Sequence, residues 1–420
     1  MEKIKCGLLG EHLGHSFSPQ IHRELADYSY ELFEMPKEEV ASFLRSDRFD
    51  SMNVTIPYKK TVMPYLEEIT DEARRIGSVN TITHLPSGGL RGDNTDYFGF
   101  SYMIDKSGIK IEGKKVLVLG SGGASETART VCADRGARAV IVISRSGKDN
   151  YSNLAKHHDA EVIVNTTPVG MYPKNGVAAV ELSEFTAIEG VLDMIYNPAK
   201  TKLLLDAEKL GIPHINGLCM LVAQAKRACE IFLDKNIPDS EVDRITSIIS
   251  AETGNIVLIG MPGCGKTTIG QLISEKSGRE IIDTDAMIVK KAGMSIPEIF
   301  AKFGENYFRA LEHACVCEAG KQSGKIIATG GGVITRKENY EPLHQNGKIF
   351  FIHRKIEELP TDGRPISQST DLHTLYKQRL PLYRAFCDKE VGNDRPIEQT
   401  ICEIIKLHRQ EGQNRTRPKA

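Results

Sequence analysis

The stretch Gly260-Met-Pro-Gly263-Cys264-Gly265-Lys266-Thr267-Thr268 fits G-x-x-x-x-G-K-[ST] at every fixed position. Glycines in such a loop let backbone N–H groups curl around phosphate oxygens, the lysine reaches the terminal phosphates, and the Thr267 hydroxyl can hold Mg²⁺. The motif carries meaning only between a strand and a helix. The apolar run Ile256–Ile259 before it, and the i, i+3, i+4 spacing of Ile269, Leu272 and Ile273 after it, supply that context. ATP and Mg²⁺ are therefore expected, with Gly263, Cys264, Gly265, Lys266, Thr267 and Thr268 around the nucleotide.

A second phosphate-type turn lies upstream. Gly120-Ser121-Gly122-Gly123-Ala124-Ser125 follows the apolar run Lys115–Leu119 and precedes a helical stretch. It reads as a dinucleotide turn in which Ser125 replaces the third glycine of G-x-G-x-x-G; alone, such a match also describes an ordinary tight turn. The next strand, Ala139–Ile143, ends in Ser144-Arg145-Ser146, where an acidic residue would favour NAD. A cation flanked by hydroxyls suits a ribose 2′-phosphate, so NADP is expected. The competing reading of Arg145 is a solvated surface cation.

The elements that must position these turns follow from the hydropathy pattern. Lys3–Leu9, Tyr30–Met35, Ser51–Thr55, Val79–His84, Lys115–Leu119, Ala139–Ile143, Glu161–Asn165 and Gly190–Asp193 read as strands, continued by Ile256–Ile259, Lys325–Ala328 and Lys348–Ile352. Helical patterns lie between many of them, which argues α/β layers with largely parallel sheets. A helix starting with a capping residue in Pro238-Asp239-Ser240 carries the apolar stripe Val242, Ile245, Ile248 and Ile249 and stops at Gly254. That stripe must pack on something upstream, so a second unit begins at about Thr253 with almost no linker. The two units, 1–252 and 253–410, are expected to fold independently, with 411–420 a disordered tail.

Composition narrows the classes. A chain of 420 residues needs two or three cores. With 54 basic and 55 acidic residues it presents no field for nucleic acid or an anionic membrane. No apolar run approaches the ~18 residues of a span, and the N-terminus lacks a signal-peptide pattern. Nine scattered cysteines fit a reducing cytoplasm, and no C-x-x-C pair argues for a metal at Cys315 and Cys317. Partners are expected to be small molecules; oligomeric state is not readable.

Over its first 250 residues the chain resembles shikimate dehydrogenase. The matching stretches are Gly14-His15-Ser16-Phe17-Ser18-Pro19, Asn53-Val-Thr55-Ile-Pro57-Tyr-Lys59, Ser78-Val-Asn80-Thr81, Gly92-Asp-Asn94-Thr-Asp96, Asp193-Met194-Ile-Tyr196-Asn-Pro198 and Gly217-Leu-Cys-Met-Leu-Val-Ala-Gln224. The resemblance implies NADP-linked reduction of 3-dehydroshikimate to shikimate, with Lys59 and Asp96 as the proton-transfer pair. Ser16, Ser18, Thr55, Asn80, Asp96, Tyr196 and Gln224 would bind the substrate. Met194 and Gly217 would join Gly120, Ser121, Gly122, Gly123, Ala124, Ser144 and Arg145 around NADP. Asn80 and Thr55 could equally satisfy backbone groups. The implied architecture is a discontinuous α/β substrate domain, 1–96 and 216–252, with a Rossmann-like NADP domain inserted at 97–215. Two departures stand out. Only nineteen residues, Gly147 to Asn165, separate the Ser-Arg-Ser turn from the end of the next strand, so a peripheral strand is missing. Lys148-Asp149 stands where the family often offers a second arginine.

From about Gly254 to Arg409 the chain resembles shikimate kinase. Beside the phosphate loop this rests on Asp283-Thr-Asp285, Phe308-Arg309-Ala-Leu-Glu312, Gly330-Gly331-Gly332, Gly363-Arg364-Pro365 and Arg379-Leu-Pro-Leu-Tyr383-Arg384. It implies a P-loop α/β domain of the nucleoside-monophosphate-kinase type. In it Thr267 and Asp283 would hold Mg²⁺, and Asp285 would bind the substrate diol and assist loss of its proton. Arg309 and Arg379 would clamp a carboxylate, Gly331 would let backbone approach it, and Arg364 would reach the nucleotide from a mobile lid. Helix capping is the competing role for Asp283 and Asp285, and a surface ion pair for Arg379. Between Ile352 and Arg364 the chain is short and interrupted by Pro360. The combined expectation is a fused dehydrogenase and kinase acting in sequence. The rivals are a catalytically inactive metabolite sensor and a broader quinate/shikimate dehydrogenase joined to the kinase.

Overall fold

The computed structural model describes residues 4–14, 16–359 and 372–410. Its first sheet contains β1 (Lys5–Gly10), β2 (Ser29–Glu34), β3 (Ser51–Val54), β4 (Glu68–Ile69), β5 (Thr81–His84) and β6 (Leu90–Asp93), ordered β2-β1-β3-β5-β6-β4. Helices α1 (Ser18–Leu25), α2 (Lys37–Phe43) and α3 (Asp71–Ile76) accompany it, and α4 (Asp96–Ser107) leads away. This sheet holds the exceptions to the largely parallel pairing: β5 runs antiparallel to both β3 and β6. The hairpin β5–β6 turns at Leu85–Gly89, and β6, reading Leu-Arg-Gly-Asp, has too little apolar character to stand out in sequence.

The second sheet contains β7 (Lys115–Leu119), β8 (Ala139–Ile143), β9 (Val162–Asn165), β10 (Gly190–Asp193) and β11 (His214–Asn216), ordered β11-β10-β9-β7-β8, all parallel. α5 (Gly123–Asp134) and α6 (Lys202–Lys209) flank it. Between β8 and β9 only a 3₁₀ turn, Tyr151–His157, crosses over, in keeping with a missing strand. α4 and α7 (Leu218–Leu233) are shared structure. Phe100, Met103 and Ile104 of α4 and Cys219 and Met220 of α7 pack in one cluster with Val116, Val118 and Val164. Asn216, at the end of β11, still pairs with Asp193 of this second sheet.

α8 (Ser240–Thr253) buries Val242, Ile245 and Ile249 against Leu218, Val222 and Ile21. Asp239 precedes it but does not cap it; its carboxylate accepts from Lys226 Nζ at 2.8 Å instead. A buried lysine needs a counter-charge more than an exposed helix end needs a cap. Gly254 does end the helix.

The third sheet contains β12 (Asn255–Ile259), β13 (Ile281–Asp283), β14 (Ile326–Ala328), β15 (Gly347–His353) and β16 (Lys389–Gly392), ordered β13-β14-β12-β15-β16 and parallel. Its helices are α9 (Lys266–Ser277), α10 (Thr284–Ala292), α11 (Ile296–Gly320), α12 (Tyr340–His344), α13 (Leu372–Phe386) and α14 (Ile397–Arg409). Every residue of β12 is buried, as a central parallel strand covered on both faces requires. α11 opens on a capping box, Ser295 Oγ accepting the Glu298 N–H while Glu298 Oε2 accepts the Ser295 N–H. It kinks at Gly304, and its second part carries Arg309. The loops that carry candidate chemistry lie at carboxyl ends of strands in both parallel sheets, where open α/β sheets bind ligands.

Candidate active sites

Two cavities hold many of the candidate residues. The first, of about 450 Å³, is lined by Ser16, Ser18, Thr55, Lys59, Asn80, Tyr196 and Gln224. Lys59, beyond β3, donates to Asp96 Oδ2 at 2.5 Å. Asp96, the first residue of α4, is held from behind by the Asn80 amide at 3.1 Å on Oδ1, and its own N–H donates to Asn94 Oδ1. An ammonium has three donors; the Asp96 bond uses one and leaves others for the cavity. Asn80 also accepts the Thr95 N–H at 2.7 Å, so it serves the backbone and the site together. Ser16 Oγ likewise accepts the Ser18 N–H. Tyr196 packs edge-on against Phe17, centroids 5.9 Å apart. Sequence reasoning missed His12, His22 and Asn53 at the cavity wall. Burial pushes His22 down to about 3, so it is a neutral ring, stacked on Tyr30.

The dinucleotide turn stands between β7 and α5. Ser121, Gly122 and Gly123 are exposed, Ala124 is half-buried, and Ser125 is buried inside the helix start, small enough for the place of the third glycine. An exposed glycine turn opening a helix suits an anionic pyrophosphate. Ser144 ends a loop closed by its N–H to the Asp149 carbonyl and by Asn150 Nδ2 to the Gly147 carbonyl, and Arg145 is exposed on it. Asp149 bonds His157 at 3.1 Å, which keeps its carboxylate engaged beside the arginine. Gly217 lies against Met194 so closely that a Cβ would collide with the Met194 carbonyl.

The second cavity, of about 580 Å³, is lined by Gly263, Gly265, Lys266, Thr267, Thr268, Asp283, Asp285, Arg309, Gly331 and Arg379. The loop after β12 needs a left-handed residue at Gly265, φ 98°, to enter α9. Lys266 Nζ donates to the carbonyls of Gly260 and Met261 at 2.9 and 3.0 Å. The Cys264 side chain is fully buried beneath the loop, and its N–H donates to the Met261 carbonyl at 3.2 Å. Thr267 Oγ1 donates to Asp283 Oδ2 at 3.0 Å, while Asp283 Oδ1 caps α10 through the Asp285 and Ala286 N–H groups. Capping and a hydroxyl–carboxylate pair therefore coexist on one residue, and this oxygen donor set suits a hard cation such as Mg²⁺.

Asp285 Oδ1 is buried with no hydrogen-bond partner, aimed into the cavity wall beside Gly330. Burial, then the Asp283 charge, raises its pKa, against the pull of Lys266 and Arg309. Arg309 is buried between Glu312, at 2.8 Å, and Glu305. Arg379 donates to the Gly331 carbonyl at 3.2 Å, so it is no surface ion pair, and Tyr383 donates to the same oxygen at 2.6 Å. The glycine triplet answers to packing as well as to ligand approach: a Cβ on Gly331 would lie 2.6 Å from the Pro262 ring, and one on Gly332 would strike the Arg309 guanidinium. Sequence reasoning assigned no role to Glu312, to Arg354 at the cavity edge, or to Asn393, which donates to the Cys264 carbonyl at 2.8 Å. Arg364 lies outside the described residues. Among the described residues no group of His, Cys, Asp and Glu is arranged as a metal site, and no helix is long and apolar enough to cross a membrane. No cysteine among the described residues forms a disulfide.

Comparison with known proteins agrees with both halves. A family model for the shikimate dehydrogenase substrate binding domain matches residues 8–82, and one for shikimate kinase matches 262–408. A shikimate dehydrogenase (NADP(+)) of Clostridium perfringens is 36% identical over 260 residues, covering 57% of this chain and 96% of the relative. The enzyme of that name from Methanosphaera stadtmanae is 34% identical, covering 54% and 91%. A chorismate mutase/shikimate 5-dehydrogenase fusion protein from Clostridium acetobutylicum superposes with a TM-score of 0.57 at 36% identity, over 59% of this chain and 98% of its own. The Thermus thermophilus shikimate 5-dehydrogenase, solved with NADP(H) and shikimate, gives 0.53 at 28%, over 58% and 98%. The chain belongs to the shikimate dehydrogenase family, and a shikimate kinase domain is fused behind its dehydrogenase half.

Proposed function

We propose that the chain catalyses two consecutive steps: NADPH-dependent reduction of 3-dehydroshikimate to shikimate, then ATP-dependent phosphorylation of shikimate to shikimate 3-phosphate. The observation that carries this reading is the presence, in one chain, of a Lys59–Asp96 pair in a hydroxyl-lined cavity and a phosphate loop facing Asp285, Arg309 and Arg379.

In the first site the bound NADPH supplies hydride. A ketone that receives hydride must gain a proton at oxygen, and Lys59 is placed to donate it, with Asp96 fixing its position and balancing its charge. Ser16, Ser18, Thr55, Asn80, Tyr196 and Gln224 present short polar groups to a polyhydroxy acid, whose hydroxyls would be costly to leave unpaired. In the second site ATP and Mg²⁺ supply the phosphoryl group and its charge neutralisation. Asp285, with its pKa raised by burial, is a better proton acceptor than an ordinary carboxylate and is placed to take the proton of the attacking hydroxyl. Arg309 and Arg379 hold the substrate carboxylate, and Glu312 keeps Arg309 in place. Thr267 and Asp283 would hold the metal, and Lys266 would supply positive charge to the nucleotide phosphates. The proposed units are a dehydrogenase up to the end of α8 and a kinase from β12 onward.

The reading is tested by supplying 3-dehydroshikimate with NADPH and, separately, shikimate with ATP and Mg²⁺. Turnover is expected in both, and absence of either removes that half. Cofactor choice gives a sharper prediction. Arg145→Ala should raise KM for NADPH while leaving KM for NADH nearly unchanged, because only NADPH carries the 2′-phosphate. The loss of a charge-assisted contact is on the order of 1.5–3 kcal/mol, and equal effects on both cofactors would remove Arg145 from the 2′-phosphate site.

A further inference from the structure

The segment Met194–Thr201 carries Tyr196 to the dehydrogenase cavity. Its two ends are fixed within its own half. Buried Asp193 accepts the Ile195 N–H at 3.0 Å, the Thr201 hydroxyl at 2.6 Å and the Asn165 amide at 2.9 Å. Its crown is held from both halves: within the dehydrogenase half the Asn216 amide donates to the Ala199 carbonyl at 2.8 Å and the Tyr172 N–H to the Asn197 carbonyl at 3.1 Å, and the kinase half adds contacts of its own. The Ala199 N–H donates to Asn346 Oδ1 at 2.8 Å, and the Lys200 N–H donates to the Gln345 carbonyl at 2.8 Å. Lys200 Nζ lies 2.6 Å from His344 Nε2, and His344 also meets Glu208. Asn346 is rigidly held, since its own carbonyl accepts the Asn255 N–H at the start of β12. The seam encloses a cavity of about 430 Å³, and Tyr196 borders both this cavity and the substrate cavity. The kinase half therefore reaches the backbone three residues from a substrate-binding side chain, although none of its described residues lines the substrate cavity.

We infer that Asn346 of the kinase half is a positioning residue for the dehydrogenase: by anchoring Ala199 it sets Tyr196 for substrate binding. The inference rests on the proposed dehydrogenase reading of that cavity. An anchored loop is already ordered when substrate arrives, whereas a freed one must be ordered by binding, which weakens affinity. Lys59 and Asp96 stand on other elements, so the chemical step itself is untouched.

The test uses the full-length chain. In Asn346→Ala, KM for 3-dehydroshikimate should rise about threefold to tenfold, the size of one lost hydrogen bond, with kcat and both kinase parameters near wild type. Hydrogen exchange at the Ala199 amide should accelerate. Asn346→Asp keeps an acceptor oxygen and should restore most of the KM. Lys209→Ala removes the seam contact with Glu341 without touching Met194–Thr201, and should leave KM alone. An unchanged KM in Asn346→Ala overturns the inference, as does an equal rise in Lys209→Ala, which would mean general loosening. A wild-type chain that fails to reduce 3-dehydroshikimate instead refutes the functional reading. In that event Ala199 exchange decides on the anchor alone: unaltered exchange in Asn346→Ala discards it.

Discussion

Lys266→Met should stop the two-step reaction at shikimate, with kinase kcat down by about 10²–10³ or more and the dehydrogenase unimpaired. The magnitude is that of removing a preorganised charge from the point where charge shifts in the transition state. Methionine keeps most of the side-chain length, and the loop backbone is held independently by the Gly265 turn and by Asn393 on the Cys264 carbonyl. The lysine is buried, so its loss leaves the Gly260 and Met261 carbonyls without a donor and a modest loss of stability is also expected. Retention of near-normal ADP formation, matched to shikimate loss, would show that Lys266 does not carry the kinase step.

The mirror experiment is Lys59→Ala, which should lower dehydrogenase kcat by about 10²–10⁴, the usual worth of a positioned proton donor. Phosphorylation of added shikimate should be unchanged, because Lys59 and the phosphate loop share no contact. Asp96 would lose its 2.5 Å partner but keep Asn80 and the α4 N-terminus, so the fold should survive. Near-normal NADPH oxidation in this variant would take Lys59 out of the mechanism.

How far these sites could be read in advance depends on whether they are local. The loop from β12 into α9 is one contiguous stretch whose glycines and apolar flanks carry their own explanation, and its strand and helix were legible. So were β7 with its glycine turn and β8 with Arg145. Lys59 and Asp96 lie thirty-seven residues apart, and no periodicity joins them; the resemblance to a family paired them before the structure placed them side by side. Supporting residues were opaque for the same reason. Asn393 reaches Cys264 across 129 positions, and Tyr383 reaches Gly331 across 52. Short strands with polar sequences, such as β6 and β16, gave no pattern to find. The stretch Pro238-Asp239-Ser240 suits a helix start, but local sequence could not show that a lysine on another helix takes the Asp239 carboxylate.

The helix stop at Gly254 was legible, but the contacts across it were not. α8 ends at Thr253, one residue beyond the expected division, and its final carbonyls accept from the other unit. Arg279 donates to Ala251, Glu252 and Gly254, and His408 Nε2 meets the Ala251 carbonyl at 2.9 Å. An absent linker thus marks a shared helix end, where one unit supplies donors that the other unit's last turn lacks.

A single time course tests whether one chain carries both reactions. Wild-type protein is given 3-dehydroshikimate, NADPH, ATP and Mg²⁺, while NADPH, ADP and the phosphorylated product are followed together. NADP⁺, ADP and shikimate 3-phosphate are expected in equal amounts at completion, with free shikimate rising and then falling. NADPH consumption that ends at free shikimate, or ADP release without the phosphorylated acid, would contradict this reading.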